Sequence, residues 1–272
     1  MNTIHDNQTK IREKTKAQFD KWYDEFKKFL SIQNLPLYHL DFYYSKEYCT
    51  SSCAHPEDPI NDTHVIKINE LLLPTHGQNA KPIAFHEFTH IYDSAHFYKL
   101  FGKHKHENIT TPYSEYHASQ IQTICALGME SVSDNKMIRL SDRVYEGILT
   151  QSFTVQSYIS YVNNNFVETI DYYFSTNCVQ PIDSRFINIL RRITYYYGII
   201  DTISLHLDNK SNMENKYAYL MNKIGDCIQV LHSKLVSFDP NMLHDYDYLY
   251  ELWIQIGIKI TKTLKSNVDQ PI

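Results

Sequence analysis

The chain has 272 residues, 43% of them hydrophobic, with 26 Lys and Arg against 31 Asp and Glu for a net charge of −5. That length suits one large domain or two small ones, and the composition is ordinary for a soluble globular chain. No run approaches the 18 apolar residues that would argue for a membrane span, and the scattered cations leave no broad basic surface for nucleic acid.

The start, Met1-Asn2-Thr3-Ile4-His5-Asp6, lacks the apolar core of a signal peptide. The expected location is therefore the cytoplasm, where the five cysteines are reduced by default. Cys49 and Cys53 are close enough to pair or to bind metal, but no second pair completes a zinc ribbon.

In chain order, residues 10–31 predict an amphipathic helix, because Phe19, Trp22, Tyr23, Phe26 and Leu30 recur at helical spacing. Leu35–Tyr44 alternates and reads as a strand, residues 45–62 as a polar loop containing proline, and His64–Leu72 as a second strand. A helix over 81–101 follows. Pro82 suits its first turn, Ile83, Ala84, Phe88, Ile91, Tyr92 and Ala95 form an apolar stripe, and Gly102 offers a stop. His104-Lys105-His106 is read into a polar loop that runs through Thr110-Thr111-Pro112, with Glu115 early in the next helix. Beyond about residue 128 only helical patterns are visible, over 151–175, 183–207, 213–236 and 240–265. Asp239-Pro240 is a cap followed by an N1 proline, and the run Tyr195-Tyr196-Tyr197 reads as packing. No linker rich in Gly or Ser separates this part from the first.

The predicted 81–101 helix carries His86-Glu87-Phe88-Thr89-His90, an H-E-x-x-H motif. Two histidines four apart lie on one helical face, so both imidazoles can reach one metal ion. Glu87 sits at the edge of that face, where its carboxylate can act as a base toward water on the metal. Chance accounts for roughly 0.03 such matches in a chain of this composition, so the motif points to metal-assisted hydrolysis. A catalytic zinc usually takes three protein ligands. His96 has the six-residue spacing of metzincins, but Asp93 stands where that pattern needs glycine. His104 and His106 are further candidates, and Glu115 would complete a His-His-Glu set.

Three segments taken together resemble the ImmA/IrrE family of zinc metallopeptidase-like proteins. Ile66-Lys67-Ile68-Asn69 is similar to the family's strand before the active-site helix. Ala84-Phe85 leading into His86-Glu87-Phe88-Thr89-His90 is similar to its A-H-E-h-G-H segment, and Glu115-Tyr116-His117-Ala118 to its E-x-E-A. The likeness covers about residues 14–128, with Thr89 in place of a glycine and His117 in place of the second glutamate. It implies zinc on His86, His90 and Glu115, with Glu87 as general base. It also implies a protein or peptide substrate of the regulator or repressor type.

The expected fold is α+β. Residues 1–128 form a minimal zincin core, a small sheet with the active-site helix, and residues 129–272 a mainly helical extension packed on it. The strand nearest the active-site helix would pair with an extended substrate, and Val65–Asn69, through Val65, Lys67 and Asn69, is the candidate edge. Tyr113, His117 or a C-terminal tyrosine would supply the donor to the oxyanion. The competing reading is a zincin-fold regulator or mobile-element inhibitor that binds protein partners without cutting them.

Overall fold

Helix α1 (Asn2–Phe29) buries Phe19, Trp22, Phe26 and Phe29, a stripe with the i, i+3, i+7 recurrence of an amphipathic helix. In the computed structural model, which describes residues 2–44, 51–70, 80–145, 153–210 and 213–268, this stripe packs against the next long helix. The side chains at 2–7, 51, 103–111 and 267–268 lie outside that description, as do Cys49 and Leu71–Leu72.

Strands β1 (Tyr38–Tyr43), β2 (Ser51–Ala54) and β3 (His64–Asn69) form one sheet in the order β1-β3-β2. The β1–β3 pair is parallel, with Tyr38 opposite His64, and the β2–β3 pair is antiparallel, with Cys53 opposite Ile66. Two expectations change here. The polar segment 45–62 contains a strand, β2. And Val65–Asn69 is no edge: Val65, Lys67 and Asn69 lie on the central strand, with ladders on both sides. Alternation in a sequence says which residues face the core; it is silent on which strands flank each other. Among the described residues the edges are β1 and β2; both reach the following helix, β1 through the Tyr38 ring 5.2 Å from that of Phe88 and β2 along its length.

That helix, α2 (Lys81–Phe101), has the bounds the sequence predicts, with Pro82 in its first turn. It is buried nearly all round, because α1 and the sheet cover one side and the next helix, α3 (Lys103–Ala126), covers another. Phe85 and Phe88 meet Phe26 edge-on or tilted, with ring centroids 5.2 and 5.6 Å apart, and each such buried side chain contributes about 2–3 kcal/mol. Buried Thr89 satisfies its hydroxyl on the Phe85 carbonyl at 2.8 Å.

A single residue, Gly102, joins α2 to α3. Its φ of +72° is the left-handed region that glycine enters at little cost. The turn is so short that α3 starts at Lys103. The segment holding His104, His106 and Thr110-Thr111-Pro112 is therefore helical where a loop was expected, and Pro112 lies inside the helix.

Past α3 the chain adds a two-residue hairpin, β4 (Arg143–Val144) with β5 (Phe153–Thr154), which the sequence reading passed over. Five helices follow. Helix α4 (Val155–Phe174) starts on a Thr154–Ser157 capping box, and α5 is Ile182–His206. The single region read over 213–236 splits at Gly225 into α6 (Tyr217–Ile224) and α7 (Cys227–Val236). Helix α8 (Leu243–Val268) begins three residues after Pro240; the Asp239 carboxylate instead accepts from the Asn241 N–H at 2.9 Å, closing a turn ahead of the helix. No helix among the described residues is long and apolar enough to cross a membrane.

The result is a mainly helical α+β chain with two large buried clusters and a small third, Phe97 of α2 against Tyr246 of α8, among the described residues. Of the large two, one joins α1, β3 and α2, and the other joins α4, α5, α7 and α8. Helix α3 serves both, Ile121 facing the first and Tyr116 and Ala126 the second. Helices α3 and α5 approach closely at Gly198, where an added Cβ would lie 2.1 Å from Ser119 Oγ and 2.4 Å from the Tyr116 carbonyl oxygen. The Asp201 carboxylate reinforces the junction: it accepts from the Tyr116 and Tyr217 hydroxyls, each at 2.8 Å, and lies 2.9 Å from His232 Nε2.

Candidate metal centre

His86 and His90, one turn apart on α2, aim their Nε2 atoms at each other 3.1 Å apart, with the rings nearly perpendicular at 84°. Glu115 reaches in from α3, its Oε2 at 3.7 Å from His86 Nε2 and 3.9 Å from His90 Nε2. Ligands about 2.0–2.2 Å from a tetrahedral zinc stand about 3.4 Å from one another, so this triangle has the size of a metal's ligand set. Among the described residues, these three form one of the groups that could hold a metal ion.

The surroundings suit the role. His90 Nδ1 lies 2.7 Å from Ser114 Oγ. With Nδ1–H donating to that hydroxyl, Nε2 keeps its lone pair, the arrangement by which outer partners orient metal-binding histidines. Burial, reinforced by the neighbouring His90, pushes the His86 pKa down to about 3. Burial also takes His90 down to about 4, with Arg191 and His117 adding to the effect and Asp93 opposing it. Both rings are thus neutral at physiological pH, as ligation requires.

Glu87 is 3% exposed. The Cys53 thiol on β2 is pushed well up, first by burial and then by the charge of Glu87. Glu87 thus sits within electrostatic reach of edge strand β2, one residue after His86.

The other sequence candidates sit elsewhere. His96 stacks on Tyr92 with centroids 5.8 Å apart and takes no place beside His86 and His90. The side chains of His104 and His106 lie outside the description. His117 Nδ1 lies 2.9 Å from the buried Asp93 Oδ1; burial disfavours its charge, but the charge and hydrogen bond of Asp93 outweigh that and raise its pKa. Tyr113 stacks on His117 at 5.5 Å and on Phe238 at 4.2 Å. Tyr92, Asp93, His96, Tyr113 and His117 line a separate cavity of about 270 Å3.

One residue of the tyrosine run does reach the centre. Tyr196 and Tyr197 are buried in the helical cluster, whereas Tyr195 is half-buried with its ring 5.7 Å from that of His86. Its hydroxyl accepts from Gln122 Nε2 at 3.0 Å, and the Arg192 guanidinium lies over its ring at 5.4 Å. Ser114 and Gln122 were also passed over. Gln122 had a signal, since seven residues from Glu115 places both on one face of α3. Tyr195 had none, because more than a hundred residues separate it from His86.

Comparison of the chain with protein-family models, with curated proteins and with solved structures gives no match.

Proposed function

We propose that the chain is a zinc-dependent metallopeptidase, similar to the ImmA/IrrE family, that hydrolyses a peptide bond in a protein substrate. The observation that carries this reading is the convergence of His86 Nε2, His90 Nε2 and Glu115 Oε2 within 3.9 Å, with buried Glu87 next to His86 in the chain. A three-stranded sheet packed on α2, followed by a ligand-bearing α3, is also the layout expected of a minimal zincin core.

The donor set, two neutral imidazoles and a carboxylate, is one that zinc takes in hydrolytic sites. When bound, the ion would polarise the scissile carbonyl and lower the pKa of water to about 7. Glu87 takes the proton of the attacking water and delivers it to the leaving amine. Its burial keeps that proton exchange away from bulk solvent. The Tyr195 hydroxyl, oriented by Gln122, donates to the oxyanion as it develops. Tyr195 takes over this role from Tyr113 and His117, whose contacts run to Asp93 and Phe238. Strand β2, an edge that lies along α2, offers its outer row of backbone groups to an extended substrate.

Metal analysis of protein purified without added metal, followed by cleavage profiling of a proteome digest through newly formed N-termini, tests the reading. Glu87→Gln is expected to keep zinc and to reduce cleavage by about 10²–10⁴-fold. Full activity in that variant removes Glu87 from the mechanism, and a wild-type protein that binds zinc yet yields no new termini removes the peptidase assignment.

A further inference from the structure

A second constellation of metal-binding side chains lies on the sheet. In the antiparallel β2–β3 ladder, Cys53 faces Ile66 and Ala54 faces Val65. One step further along the same register sets His55 opposite His64. Side chains two apart on a strand share a face, so Cys53 and His55 project to the same side. Directly opposed residues also share a face, with Cβ atoms about 5 Å apart. The sequence Cys53-Ala54-His55, met by His64, therefore gathers a thiol and two imidazoles at the end of one sheet face.

The atoms follow that placement. His55 Nδ1 and His64 Nδ1 are 3.1 Å apart, and Cys53 Sγ is 3.9 Å from His55 Nδ1. All three donor atoms lie within 4.8 Å of one another. A tetrahedral zinc with bonds of about 2.0 Å to nitrogen and 2.3 Å to sulfur would set these separations at about 3.3 and 3.5 Å. His64 is fully buried, and its Nε2 donates to the Pro59 carbonyl oxygen at 2.9 Å. A carbonyl can only accept, so the proton of neutral His64 resides on Nε2 and Nδ1 presents its lone pair to the cluster. This is the backbone anchor that fixes ring and tautomer in ligating histidines.

We propose that Cys53, His55 and His64 form a second metal site, selective for zinc or a cation of similar softness, which clips edge strand β2 to β3. Thiolate and imidazole donors select such ions over magnesium or calcium. Binding releases the Cys53 proton to solvent and leaves the metal held by one sulfur and two nitrogens. The exposed position of His55 lets water complete the shell. The site is independent of His86, His90 and Glu115, and does not rest on the peptidase reading.

Cobalt(II) tests this, because only a sulfur ligand gives a near-ultraviolet thiolate-to-cobalt charge-transfer band and the His86–His90–Glu115 set contains no sulfur. The full chain, titrated with cobalt(II), is expected to develop that band with saturation at one equivalent per band-producing site. Cys53→Ser should abolish the band and lower the zinc content of the loaded protein by one ion per chain. The exposed ligand gives a variant with little bearing on folding, so His55→Asn should weaken cobalt binding at this site at least tenfold with an unchanged circular dichroism spectrum. His86→Asn/His90→Asn protein should keep the band. Absence of the band in the wild-type chain, or its persistence in Cys53→Ser, overturns the site. Loss of zinc from the double histidine variant alone bears only on the peptidase reading.

Discussion

Replacing Gly198 with alanine is a stringent test of how the two halves of the chain meet. The added methyl would lie 2.1 Å from Ser119 Oγ and 2.4 Å from the Tyr116 carbonyl oxygen, about 1 Å inside the contact distance of carbon and oxygen. Neither obstacle swings aside. The carbonyl belongs to the backbone of α3, and the Ser119 hydroxyl is tied to the Glu115 and Tyr116 carbonyls at 2.7 and 2.9 Å. Helix α5 must therefore withdraw by about 1 Å. Overpacking of this kind costs about 3 kcal/mol, and the better helix propensity of alanine returns about 1 kcal/mol. A net loss of about 2 kcal/mol lowers the melting temperature of a chain this long by roughly 4 °C. Thermal and urea unfolding followed by circular dichroism would measure it. Gly102→Ala is the control. Its Cβ meets nothing within 4 Å, so it carries only backbone strain, at φ +72° and ψ 179° about 1–3 kcal/mol, a loss that Ser119→Ala should not relieve. Adding Ser119→Ala to Gly198→Ala should restore only part of the loss, because the carbonyl remains. A Gly198→Ala protein as stable as wild type, or more so, would refute the close approach of α3 and α5.

Ser114→Ala removes the hydrogen-bonding partner of His90 Nδ1 and is expected to weaken zinc affinity about 10–100-fold, measured by competition with a chelating dye, with little change in unfolding. Tyr195→Phe should lower kcat by about 10²-fold with KM and zinc content unchanged; an equal loss in Tyr113→Phe would argue that the wrong hydroxyl has been assigned. Asp93→Asn replaces the buried charge facing His117 and should destabilise the fold by about 1–3 kcal/mol while leaving zinc content intact. A loss of metal in that variant would place the Asp93–His117 pair within the centre.

The readable parts of this chain share one property, short range. The pairing of His86 with His90 follows from helical pitch within five residues, and the bounds of α2 from Pro82 and Gly102. Glu115 lay one helix further on, and the resemblance to a known motif singled it out among several candidates. What stayed hidden depends on contacts distant in sequence. The order β1-β3-β2 turns Val65–Asn69 from an edge into the middle of the sheet, although its alternation is the same in either position. Strand β2 is four residues long in a polar stretch and gains its identity only from pairing with β3. The segment from Lys103 to Pro112 looked like loop because its residues favour turns, and the one-residue turn at Gly102 overrides that preference. Tyr195 resembles its two neighbours in sequence, and only the rotation of α5 against α3 separates it from them.

The third donor of the metal centre rides on a helix whose far side is held by residues synthesised much later. As the chain emerges from a ribosome, His86 and His90 appear early, and Glu115 soon after. Glu115 stands on a helix that packs on α2 along one side and on α5 along the other, so its seating is complete only when Gly198 and its neighbours are in place. Until then the nascent chain offers two histidines and an unanchored carboxylate, a weak chelator. On the proposed metal reading, firm retention of an ion would come only with the C-terminal helices, and the order of translation would set when the candidate centre is loaded.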